Sequence, residues 1–181
     1  MKNVFADYRF EGRGLKNRLA QMFNKESGRT VMLAIDHDYF QGAIPGLEDI
    51  QKTISPLLPY CDAFSPSVGT LENSLDPNIT SPLILRATGG NSTIKTTPIE
   101  NEHVTVSIDT MLSMNAIGYT VSYYHGTDFQ SQTMHNLTSL INGGGRQYGL
   151  IAIGITAVGR DYEHLVKGEG GSPSEEDKRQ A

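Results

Sequence analysis

The chain has 181 residues, a formal net charge of -5 and a sequence pI near 5.5, which suits one ordinary domain with a sizeable core rather than two. Its basic residues are scattered, leaving no electrostatic footprint for nucleic acid, and the longest apolar runs, VMLAI and LIAIGI, fall well short of the roughly 20 residues that span a bilayer. A single cysteine, Cys61, excludes an internal disulfide framework, and the opening MKNVFADYRFEGRG lacks the apolar core of a signal peptide, so a soluble cytoplasmic protein without nucleic-acid or membrane partners is expected.

Leu15, Leu19, Met22 and Phe23 recur at helical spacing and predict a short amphipathic helix over 15–23, ended by NKESGRT. Residues 1–30 thus read as an N-terminal extension carrying one helix. Thr30 to Ile35 is a near-continuous apolar run of strand length, the pattern of a strand covered on both faces in a parallel sheet. GLEDIQKTISPLLPY places Leu47, Ile50, Ile54, Leu57 and Leu58 on a helix that Pro56 ends or kinks. Cys61 follows as a small packing residue, and DAFSPSV supplies a short second strand.

SPLILRATGG reads as a third buried strand, with Pro82 at its start and Gly89-Gly90 as its break. SIDTMLSMN is a helix capped by Ser107, and AIGYTVSYYHG is a strand closing at Gly126. SQTMHNLTSLIN is helical, with GGG at 143–145 as its stop, and GLIAIGITAVG is the last strand. Strands starting near 31, 62, 83, 118 and 149 recur about every 30 residues with helices between them, the rhythm of βα units. Residues 31–165 are therefore expected to form a partial (β/α) barrel of five units. Residues 166–181, almost devoid of apolar side chains, have the composition of a disordered tail.

Two strand ends carry candidate chemistry. Asp36, His37 and Asp38 end the first strand. A metal site there would need the chain to turn, because strand neighbours point to opposite faces. Arg86 ends the third strand and could bind an anion or pair with Asp36 or Asp38. The glycines of TGGNS and GGG lack the spacing of a phosphate or dinucleotide loop and read as turn and helix stop.

Five segments in register, NRLAQMFNKESGRTVMLAIDHDYFQG, GLEDI, PLILRATGGNS, SIDTMLSMNAIGYTVSYYHGTDFQSQTMHNL and GITAVGRD, resemble the class I Schiff-base aldolases of the archaeal-type fructose-bisphosphate aldolase group, with most likeness to its autoinducer-2 phosphate thiolase-like branch. The resemblance covers roughly residues 15–161. It implies an α/β fold, a (β/α)₈ TIM barrel represented here by about five units, whose active site gathers at the C-terminal strand ends. It also implies a lysine imine with a small phosphorylated ketose or dione and proton transfer by a carboxylate, with no cofactor or metal.

By resemblance Asp36 is the proton-transfer residue, while His37, Arg86, Tyr124, His125 and Thr156 line the substrate. Asp38 stands where the family has glycine. The family's imine lysine lies on strand six and its phosphate loops after strands seven and eight, beyond the five units seen; none of Lys2, Lys16, Lys25, Lys52, Lys95, Lys167 and Lys178 sits in an apolar strand. The chain is accordingly expected to be catalytically incomplete. The alternatives are a non-catalytic half-barrel that self-associates or pairs with a complementary chain, or a gene fragment.

Overall fold

The structure, a computed structural model, describes residues 12–42, 44–90, 92 and 98–158. The expected tail at 166–181 and the boundary at 165 lie outside the described residues. Helix α1 (Arg13–Met22) leads to β1 (Met32–Ala34), the short helices α2 (Asp38–Gln41) and α3 (Ile50–Ile54), and β2 (Ala63–Ser65). Then come α4 (Val68–Ser74), β3 (Ile84–Arg86), the two-residue strands β4 (Thr88–Gly89) and β5 (His103–Val104), α5 (Ile108–Ser113), β6 (Gly118–His125), α6 (Gln130–Leu140) and β7 (Ile151–Val158).

The five expected strands are β1, β2, β3, β6 and β7, and all run parallel. Met32 pairs with Ala63, Ile84 with Gly118, and Gly118 with Ile151. An isolated parallel bridge, Phe64 to Leu83, and the backbone bonds of Phe64 to Pro82 and of Arg86 to Pro66 join the first pair to the other three. The strands follow in chain order, as right-handed βα crossovers dictate. One face of this sheet turns inward: Ala63, Ile84 and Ile151 form a cluster closed by Met22, Leu15 and Leu19 of α1 and by Phe23. The amphipathic stripe of α1 thus floors the barrel at the N-terminal ends of the strands.

On the other face Phe64, Leu85, Tyr119 and Val121 pack against Ile54, Met111 and Leu140 of the helices. Local signals account for several boundaries. Ser67 and Ser107 cap α4 and α5 by accepting the Thr70 and Thr110 amides. Asp49 caps α3, which ends before Pro56.

Three features depart from the sequence reading. First, β1 is not covered on both faces: Val31 is 58% exposed and Ala34 is exposed, because among the described residues β1 pairs only with β2. Second, the third strand ends at Arg86, short of the break expected at Gly89-Gly90; past it the chain turns to pair antiparallel with β5, Thr88 opposite Val104 and Gly89 opposite His103.

Third, the GGG run does not stop α6. The chain continues through it as a π-helical turn, Ile141–Arg146, and ends at Gly149, whose φ of +68° suits glycine. The triplet instead permits close packing: a Cβ on Gly144 would lie 2.7 Å from Ile108 Cδ1 and 3.0 Å from Tyr119 Cε1.

Candidate functional site

The inner face of the sheet changes character along the strands. At the floor it is aliphatic, whereas toward the C-terminal ends it carries Asp36, Arg86, Thr88, Thr120, Ser122 and Tyr124, all buried. Register aligns Arg86 with Thr120, and strict alternation puts Ser122 and Tyr124 on the same face of β6. A polar mouth above an apolar plug is the arrangement on which barrel enzymes build active sites.

Arg86 is the centre of this mouth. Its Nε donates to the Thr88 carbonyl (2.8 Å), and its Nη2 meets both carboxylate oxygens of Glu102 (2.9 Å each), the Tyr39 hydroxyl (2.6 Å) and Ser122 Oγ. The guanidinium also lies over the Tyr39 ring, 4.3 Å from its centroid. Nη1 faces Asp36 Oδ2 at 3.7 Å. Arg86 therefore pairs with Asp36, one of the two partners expected of it, but its shorter ion pair is with Glu102.

Glu102 is fully buried. It accepts hydrogen bonds from Thr88 Oγ1 (2.6 Å), Tyr39 Oη (2.9 Å) and Tyr124 Oη (3.2 Å), while its backbone carbonyl accepts from Gln132 (2.6 Å) and Asn136 (2.9 Å) of α6. A buried carboxylate with this many donors and a guanidinium is the compensated kind. Glu102, Tyr39, Thr88 and Ser122 were not singled out from the sequence. The available signal was indirect: an arginine ending an apolar strand needs a carboxylate, and IENE lies just upstream of HVTV.

Burial raises the Asp36 pKa above its ordinary value, and the nearby Arg86 charge pulls against that rise. The group is thus biased toward holding a proton, which suits a proton carrier. Burial, assisted by Glu102, pushes the Tyr124 phenol up to about 12 and raises that of Tyr39.

The chain turns at His37, which precedes α2, so the Asp-His-Asp triplet splits. Asp36 turns to Arg86, whereas Asp38 Oδ2 accepts from Ser67 Oγ (3.0 Å) and Thr70 Oγ1 (2.6 Å) at the start of α4. The half-buried His37 ring neighbours Phe40, with 6.2 Å between centroids. Among the described residues no group of three or more His, Cys, Asp or Glu could hold a metal ion.

Asp36, Arg86 and Tyr124 are brought into one cluster. His125 and Thr156 are not: alternation turns both to the opposite face, where the His125 Nδ1 lies 3.2 Å from the Tyr123 hydroxyl and the exposed Thr156 pairs with Tyr123 in register. Among the described residues no helix is long and apolar enough to cross a membrane.

No family model matches the chain. It is 38% identical over 148 residues to a 3-hydroxy-5-phosphonooxypentane-2,4-dione thiolase of Enterobacter sp. (strain 638), covering 82% of this chain and 49% of that protein. With the enzyme of that name from Yersinia pseudotuberculosis serotype O:1b the identity is 39%, covering 82% and 50%. The chain spans about half the length of the curated relatives it matches.

Among solved structures, a Schiff-base-forming fructose-1,6-bisphosphate aldolase superposes with a TM-score of 0.64 at 20% identity, over 81% of this chain and 59% of that one. A fructose-bisphosphate aldolase from Slackia heliotrinireducens gives 0.65 at 16% identity, over 93% and 56%. Over about half of their length the chain is thus similar in sequence to these thiolases, and it shares the partial-barrel fold of the Schiff-base-forming aldolases.

Proposed function

We propose that this chain contributes the proton-transfer side of a Schiff-base aldolase or thiolase site acting in the cytoplasm on a small phosphorylated ketose or dione. The observation that carries the reading is the buried, proton-biased Asp36 beside Arg86 at the C-terminal mouth of a parallel sheet. In imine chemistry an amine condenses with the substrate ketone, the iminium draws electrons from the bond being cleaved, and a carboxylate takes or returns the proton. Asp36 is the proton carrier, Arg86 and Tyr124 line the substrate, and His37 stands at the rim. His125 and Thr156 would reach substrate only through a different strand-end geometry.

The amine is the missing element. Among the described residues the lysines are Lys16 on α1, Lys25 in the following turn and Lys52 on α3, none at a strand end of the mouth. We therefore read the chain alone as catalytically incomplete. Borohydride trapping with fructose 1,6-bisphosphate, read by intact mass, tests this. No reducible adduct is expected on the chain alone, and one is expected when the C-terminal half of the Enterobacter thiolase is added. An adduct on the chain alone overturns the incompleteness, and no adduct in the mixture overturns the contribution to catalysis.

A second reading rests on the sheet edges. Val31 beside β1 is 58% exposed and Ile155 on β7 is 39% exposed, and open strand edges invite pairing with another chain. Self-association, or pairing with a complementary chain, is the expected consequence. Sedimentation at increasing concentration tests it, and a concentration-independent monomer counts against it.

A further inference from the structure

We infer that Glu102, which lies just before β5 and outside the barrel strands, is the positioning residue that decides which nitrogen of Arg86 is offered to Asp36 and to a ligand oxygen at the mouth. This deepens the proposed function and rests on its reading of Asp36 and Arg86 as substrate-facing.

Arginine carries five N–H donors in a rigid planar fork, so holding one edge of the fork determines where the other edge points. Here Nη2 is held by both oxygens of Glu102, by the Tyr39 hydroxyl and by Ser122, and Nε is held by the Thr88 carbonyl. Nη1 is left facing Asp36, and the 3.7 Å separation is an ion-pair distance longer than a hydrogen bond. A carbonyl or hydroxyl oxygen of a ligand can therefore accept from Nη1 while meeting the Asp36 carboxyl.

Glu102 is itself immobilised. Tyr39 from α2, Thr88 from β4 and Tyr124 from β6 donate to its carboxylate, and Gln132 and Asn136 of α6 hold its carbonyl. Its charge opposes that of Arg86 over 2.9 Å, so the guanidinium is not drawn wholly onto Asp36. The other charges acting on Asp36 are His37 and Asp38.

The test uses the full chain labelled with ¹³C at the aspartate carboxyls, and NMR follows the Asp36 titration. In Glu102→Gln the unneutralised Arg86 should lower the Asp36 midpoint by about one pH unit or more, and Glu102→Asp should shift it partway in the same direction. A merely structural Glu102 would lower the melting temperature while moving the midpoint by less than about 0.2 units, and that result overturns the inference. The unsubstituted chain supplies a readout independent of variant folding: Arg86 should show distinct, slowly rotating Nη1 and Nη2 signals. A single averaged signal overturns the inference too. Borohydride trapping in the mixture with the C-terminal half of the Enterobacter thiolase reports on the catalytic reading separately, so an unmoved midpoint with trapping retained in that mixture defeats only the role of Glu102.

Discussion

Arg86 and Glu102 meet at 2.9 Å with side-chain exposures of 5% and 0%, joining the end of β3 to a residue that lies outside the barrel strands. Removing one member of such a pair strands the other charge in a low-dielectric site. Arg86→Met should cost about 3–5 kcal/mol, whereas Arg86→Met with Glu102→Leu should recover about half of that. Recovery is incomplete because the hydroxyls of Tyr39, Thr88 and Tyr124 lose their acceptor. Urea midpoints at unchanged slope measure both terms. A double variant no more stable than the single one would show that Glu102 costs little when left alone.

Gly118 begins β6 under Ile151. A Cβ there would come within 2.5 Å of the Ile151 carbonyl oxygen and 2.7 Å of its Cβ, so a strand would have to move. Gly118→Ala should destabilise by about 1–3 kcal/mol. Gly154→Ala is the control, because nothing lies within 4 Å of its built Cβ. It should be neutral or stabilise by up to about 1 kcal/mol through the unfolded chain. Thermal melts of the two variants, run side by side, decide the point.

The pH dependence of stability follows from Asp36. Its folded pKa is raised above the ordinary 3.8, so between the two values the folded state binds more protons than the unfolded one. Stability therefore falls as pH rises from about 4 through the folded value, and the loss persists at neutral pH. Asp36→Asn removes this penalty, so it should melt higher than the parent at pH 7 and much like it near pH 3. Equal gains at both pH values would count against a proton-biased Asp36.

Much of the architecture was legible in the sequence because buried parallel strands write continuous apolar runs and serines cap the helices that follow. LILR, GYTVSYYH and IAIGITAV announced β3, β6 and β7, and Ser107 announced α5. Asp36 and Arg86 were legible as polar residues ending such runs. Glu102 was not, since in PIENEHV it is one of two carboxylates without period, and only closure of β4 on β5 carries it inward. Thr156 and His125 take the face opposite Asp36 and Arg86 for a related reason: nearness to a strand end does not tell which face a side chain takes, and one step of register inverts it. GGG misled because glycine serves close packing as well as helix termination.

Asp38 provides the last prediction. It replaces the glycine of the resembling family at the mouth, and its Oδ2 accepts two hydroxyls while its Oδ1 is buried without a hydrogen-bond partner. Its negative charge acts on Asp36 at the mouth, where the proposed phosphorylated ligand would bind. Asp38→Asn preserves an acceptor for Ser67 and Thr70 but removes the charge. At an effective dielectric of about 40 and a separation of about 8 Å, each unit of ligand charge gains about 1 kcal/mol, or roughly fivefold in affinity. Calorimetric titration with inorganic phosphate should show tighter binding by Asp38→Asn at low salt, with the gain shrinking as ionic strength rises. Unchanged phosphate affinity at low salt would mean that the anion does not pass Asp38, and the departure from glycine would then concern only the join between α2 and α4.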